Sequence, residues 1–119
     1  MAQPEQRKHI RKDIRMPCSV QFSSGHMLFG QTKSIGLNGV TIELGAMPVG
    51  NRMKVALGDT GLLRIRFTNK KSEDSIRIQC QVTNMAANGM GLSIRFYELN
   101  KKDQLVLGKI IASGIGRIE

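Results

Sequence analysis

Two arginines four positions apart, Arg7 and Arg11 in Gln6-Arg7-Lys8-His9-Ile10-Arg11, are the residues of this chain best equipped for chemistry. Each guanidinium is a permanently charged planar fork that grips phosphate oxygens in pairs and stacks on a purine ring. Further along lies a small, glycine-bearing segment, Ser34-Ile35-Gly36-Leu37-Asn38-Gly39-Val40. Two forks on a short tether, with this segment as a second wall, suit a phosphate-rich nucleotide. Other chemistry finds little support. Catalysis needs a nucleophile beside a base, a carboxylate pair in a cleft or a metal cluster, and none has a local signature here. His9 and His26 are not at metal-ligand spacing with each other or with Cys18 and Cys80. No phosphate-cradling glycine loop runs into lysine and serine or threonine, so an NTPase is not expected. The expectation is a binding protein without catalytic residues, metal or resident cofactor.

The surroundings of the arginines reinforce the anion reading. The chain has 18 Lys and Arg against 9 Asp and Glu, a formal charge of +9. Such a surplus favours phosphates, nucleic acid or acidic membrane surfaces without choosing among them. It is concentrated at the start, where Arg7, Lys8, Arg11, Lys12 and Arg15 are opposed only by Glu5 and Asp13. The first twenty residues hold no apolar run, and no later run approaches the roughly 20 residues needed to span a bilayer. Cys18 and Cys80 sit far apart on apolar phases, as small buried side chains do. A reduced, cytoplasmic protein with no membrane insertion is expected.

The elements that must position the arginines are read from periodicity. Apolar residues alternate with polar ones through Cys18 to Phe22, Val40 to Leu44, Met53 to Leu57, Leu63 to Phe67, Ile76 to Thr83 and Met90 to Phe96. That is the period of strands with one face on a core, and a weaker segment from Leu28 to Lys33 completes the set. Turn signals separate them at Ser23-Ser24-Gly25, Leu37-Asn38-Gly39, Pro48 to Asn51, Gly58 to Gly61 and Ala87-Asn88-Gly89. Many short strands at this spacing imply an antiparallel barrel or sandwich. Thr68 to Asp74 lacks periodicity and is expected to be a mobile surface hairpin. Phe22, Phe67 and Phe96 fall on the core phase, leaving Phe29 and Tyr97 as candidate exposed stacking surfaces. From Asn100 to about Ser113 the period changes: Val106, Leu107, Ile110 and Ile111 form one stripe of a helix capped by Asn100, with Asp103 in its first turn. The helix is expected to cover the barrel. Gly108 inside it conflicts mildly with helix propensity, and close packing against the sheet is the expected reason.

Arg7 and Arg11 before the first strand, Pro17 leading into it, the Ser34 to Gly39 turn entering a later strand, and the close Ser93-Ile94-Arg95-Phe96-Tyr97-Glu98-Leu99 followed by a charged helix together resemble the PilZ domain family over nearly the whole chain. The arginines match its RxxxR motif, and the turn aligns with its Asp/Asn-x-Ser-x-x-Gly motif. The resemblance implies an all-β fold, a six-stranded antiparallel barrel with a C-terminal helix packed at its end. It divides a single domain over 1–119 into a flexible basic N-terminal arm (1–16), a barrel (17–97) and a helix (100–113). It also implies a bacterial receptor for the second messenger cyclic di-GMP, bound by Arg7, Arg11, Ser34, Gly36 and Gly39, that relays occupancy to an effector protein. Arg7 and Arg11 would contact phosphate and guanine, Lys8 would add phosphate contact, and Gln6 sits where the number of bound ligands is influenced. Gly39 would serve the turn with φ > 0 and admit the ligand to the backbone.

This chain departs from the second motif. Ser34 replaces the acidic or amide residue, Gly36 replaces the serine, and only Gly39 is unchanged. A lost charge-assisted contact costs about 1.5–3 kcal/mol and a neutral one about 0.5–1.5. Two further readings therefore stand: a PilZ domain that binds no nucleotide and acts as a protein-interaction adaptor, and a basic barrel that binds nucleic acid.

Overall fold

The structure is a computed structural model that describes residues 11–45, 55–86 and 90–118. Alternating burial through six segments produces six strands: β1 (Pro17–Phe22), β2 (Met27–Ile35), β3 (Gly39–Leu44), β4 (Thr60–Asn69), β5 (Ser72–Met85) and β6 (Gly91–Tyr97). Their hydrogen-bonded order is β1-β2-β3-β6-β5-β4, and β4 pairs back to β1, so they close into an antiparallel barrel. Closure leaves the pair β3–β6 diametrically opposite the pair β1–β4. A helix, α1 (Lys101–Ser113), follows, and a two-residue strand, β7 (Arg117–Ile118), adds to β4 in parallel.

The inward phase fills the barrel with Val20, Phe22, Leu28, Ile42, Leu63, Ile65, Ile78, Cys80, Val82 and Ile94, all nearly inaccessible. Phe67 and Phe96 are buried with them, as their phase implied. Leu107, Ile110 and Ile111 of α1 join the same core, and Val106 packs at its margin. The helix is therefore the barrel's apolar cover. Asn100 accepts from the Asp103 backbone N–H at 2.8 Å, and Gly114 closes the other end in the left-handed region. Cys18 and Cys80 are free, buried thiols, and burial pushes their pKa up to about 12 and about 11.

Three local expectations are corrected, and the expected Thr68 to Asp74 hairpin is found paired up to its tip. Residues 55–57 of the Met53 to Leu57 alternation lie outside any strand, the earlier part falling outside the described residues. The Asp59 carboxylate accepts from the Ala56 N–H, Gly58 takes φ +88°, and Leu57 stands exposed, so a turn replaces the pleat. The Thr68 to Asp74 hairpin is a continuous ladder in which Thr68 pairs with Glu73 and Asn69 with Ser72. Only Lys70 and Lys71 turn, both at positive φ, the geometry that matches the twist of a two-residue hairpin. Gly39 is not at positive φ; a Cβ there would lie 2.5 Å from the Ile94 carbonyl, so close approach of β6 excludes a side chain. At Gly108 a Cβ would meet nothing within 4 Å, so packing does not require that glycine.

Candidate functional site

Two β-bulges shape one end of the outer surface. Along β2 the partners of β3 jump from Thr32 to Ser34, and along β5 the partners of β6 jump from Val82 to Asn84. Each bulge turns two successive residues outward, Lys33 with Ser34 and Thr83 with Asn84. Register then aligns Ser34 with Thr41, Thr41 with Ser93, and Ser93 with Asn84. The result is a row of four short polar side chains across β2, β3, β6 and β5. A cleft of about 240 Å³ runs beside it, lined by Lys33, Thr41, Asn84, Met85, Met90 and Ser93 among others.

The chain before β1 is laid onto the bulged end of β2. Lys12 and Ile35 exchange backbone hydrogen bonds of 2.9 Å in both directions, and the Thr32 N–H donates to the Met16 carbonyl. Thr32 is a wholly buried polar residue whose hydroxyl accepts from the Met16 N–H at 2.9 Å and donates to the Ile14 carbonyl. Ile14 and Met16 are buried in the core. Residues 11–16, within the expected arm, are thus docked; residues 1–10, with Arg7, Lys8 and Gln6, lie outside the described residues.

This docking carries Arg11 to the row. Its Nη2 donates to Ser34 Oγ at 3.4 Å, to the Ser34 carbonyl at 3.5 Å and to Thr41 Oγ1 at 3.4 Å. These contacts are near the outer limit of hydrogen bonding, and they orient the guanidinium over the row. Next to it Arg15 pairs with Glu43, both half exposed. The Arg15 hydrogen bond, then its charge, holds the Glu43 carboxyl below its ordinary pKa, so the carboxylate of this face has a cation of its own.

Of the candidates named from sequence, Arg11 and Ser34 are brought into contact. Gly36 and Gly39 close the turn between β2 and β3, where the Gly36 N–H donates to the Gly39 carbonyl at 2.9 Å and both are buried. They shape the wall and offer no side chain to it. Thr41, Ser93, Asn84 and the anchoring Thr32 were not singled out from sequence. The one available signal was the end of strict alternation near Thr83, which marks a bulge. Asn84 uses its carbonyl oxygen on the Met85 N–H, which leaves its amide nitrogen to donate. The row thus offers hydroxyls and an amide to a flat polar edge, and Arg11 with Lys33 offers charge to an anion. Cavities of comparable or greater size lie elsewhere, as at Thr68, Lys70, Lys71, Arg117 and Ile118, away from these residues. Among the described residues no group of three His, Cys, Asp or Glu is placed to hold a metal, and no helix is long and apolar enough to cross a membrane.

The PilZ domain family model matches residues 5–113, and the chain belongs to that family. No curated protein matches the sequence. Among solved structures, the inhibitor of motility MotI/DgrA of Bacillus subtilis superposes with a TM-score of 0.73 at 15% identity, covering 95% of this chain and 52% of MotI/DgrA. The PilZ domain of YcgR from Escherichia coli, solved with c-di-GMP, gives 0.72 at 14% identity, covering 92% of this chain and 91% of that one. The PilZ domain of CeSA from a cellulose-synthesizing bacterium gives 0.61 at 13%, covering 87% and 96%. The chain spans about half the length of MotI/DgrA. At these identities the likeness establishes the shared barrel-and-helix fold.

Proposed function

We propose that the protein is a bacterial, cytoplasmic receptor for cyclic di-GMP that relays occupancy to a partner protein and catalyses no reaction. The observation that carries this reading is Arg11 held over the Ser34 and Thr41 hydroxyls beside a polar trough. Arg11, with Arg7 as the second arm of its motif, takes the phosphates and stacks on a guanine. Ser34 and Thr41 address the base edge, with Gly36 and Gly39 shaping the turn beneath. Membership of the PilZ family and the fold shared with the c-di-GMP-bound YcgR domain support the ligand's identity. Ligand binding at Arg11 changes the packing of the segment that carries it, and that change is the signal.

A second reading, an adaptor that binds no nucleotide, is favoured by the neutral Ser34 and the absence of a side chain at Gly36. Calorimetry with cyclic di-GMP at near-physiological salt separates the two. Saturable heat, lost at least tenfold in affinity in Arg11→Ala, is expected of the receptor; no heat at millimolar ligand contradicts it.

A further inference from the structure

The side of the barrel opposite the Thr41–Ser93 pair carries a different surface. On the outer phase of β2, β1, β4 and β5, register aligns Phe29 with Ser19, Ser19 with Arg64, and Arg64 with Arg77. The adjoining row aligns Met27, Gln21, Leu62 and Gln79. Phe29 is 62% exposed, Met27 41% and Leu62 39%, so three large apolar side chains stand in water on one face. Beside them Arg64 and Arg77 oppose each other directly across the ladder, and Arg66 follows two residues on. Like charges directly opposed destabilise a sheet. Among the described residues none of these three guanidiniums is in an ion pair, the pair found being Arg15 with Glu43. Arg64 is instead oriented by its Nε donating to Ser75 Oγ at 3.3 Å.

We propose that this face docks an extended, acidic segment of a partner protein that turns two carboxylates, at positions i and i+2, and then an apolar side chain at i+4 toward the barrel. Arg64 and Arg66 project two residues apart on one strand, the spacing at which alternate side chains of an extended peptide project from one side. Planar guanidinium forks match carboxylates in pairs, and docking relieves the opposition of Arg64 and Arg77. Leu62 stands two residues before Arg64 on the same outer phase, and with Met27 and Phe29 beside it gives the apolar side chain at i+4 a place to leave water. The closed barrel offers no free strand edge here, so recognition is by side chains. A nucleic acid, whose bases need stacking partners, fits less well. Phe29 is the one strongly exposed aromatic among the described residues, which makes a thin stacking platform. The surface is separate from the Arg11 trough and stands whether or not a nucleotide binds there.

The test is an NMR titration of the ¹⁵N-labelled full chain with three probes: an acetylated heptapeptide with glutamate at positions 1 and 3, leucine at 5 and 7 and serine between, its counterpart with lysine for glutamate, and a twelve-residue oligo-dT. The acidic peptide is expected to shift the amides of Ser19, Leu62, Arg64 and Arg77, the lysine peptide to leave them unmoved, and the double variant R64E/R77E to abolish the shifts without a fall in Tm. Phe29→Ala with Leu62→Ala, the control if the charge reversal unfolds the chain, is expected to weaken the shifts severalfold. The inference is overturned if the acidic peptide shifts nothing on this face or acts equally on R64E/R77E. It is equally overturned if oligo-dT shifts these amides and the peptide does not.

Discussion

Contacts of 3.4 to 3.5 Å tie Arg11 to Ser34 and Thr41, so two short hydroxyls help to aim the guanidinium over the row. A carboxylate at position 34 would change that arrangement in two ways. It would accept charge-assisted hydrogen bonds from a guanine edge, each worth about 1.5–3 kcal/mol against about 0.5–1.5 for a neutral one. It would also attract Arg11, but a partly exposed pair gains little from that. Ser34→Asp is therefore expected to tighten cyclic di-GMP about tenfold by calorimetry. An unchanged or weaker affinity would mean that Ser34 does not face the base. Arg11, Ser34 and Gly39 could be picked from sequence because a motif fixes their spacing. Gly39 was chosen for the wrong physical reason, since the constraint is the Ile94 carbonyl on a strand more than fifty residues away. Ser93 and Asn84 could not be picked at all, because only register joins them to Ser34.

Strands β2 and β5 each carry one extra residue, and the trough exists because both extras fall beside the same pair on β3 and β6. Thr32 is the pin of that arrangement, joining the bulged end of β2 to Ile14 and Met16 through one hydroxyl. Thr32→Val keeps the volume and strands the buried Met16 N–H, a loss of about 1–3 kcal/mol concentrated in the docked segment. Faster hydrogen exchange at Lys12 and Met16, with β4 and β5 amides unchanged and Thr32→Ser restoring protection, is the expected result. Uniform acceleration across the barrel would show Thr32 to be a general core residue instead. In α1 the open space at Gly108 gives an opposite prediction. Gly108→Ala should stabilise by about 0.5–1 kcal/mol, a Tm rise of roughly 2–6 °C in thermal melts. Six strands and the helix were legible from period alone because each buries one face. The Met53 to Leu57 alternation misled where it could be checked: Gly58 and the Asp59 carboxylate set a turn that burial of Val55 alone did not overrule.

At the scale of the whole molecule, closure of the barrel separates two kinds of surface. The trough on β2, β3, β6 and β5 is small, polar and topped by Arg11, whereas the face on β2, β1, β4 and β5 is apolar and arginine-rich. The segment that carries Arg11 is also near the C-terminal tail: a Cβ on Gly116 would lie 3.0 Å from Met16 Cγ and 3.2 Å from Ile14 Cγ2. A change in how residues 11–16 pack would therefore be felt by the chain leading to β7 as well as by the core. The measurement that bears most directly on a receptor with its site on the bulged face is amide chemical-shift mapping of the full chain titrated with cyclic di-GMP. The account predicts saturable shifts at Arg11, Ser34, Gly36, Thr41 and Ser93, with Ser19, Arg64 and Arg77 unmoved. An unchanged spectrum at millimolar ligand, or shifts confined to the opposite face, would contradict it.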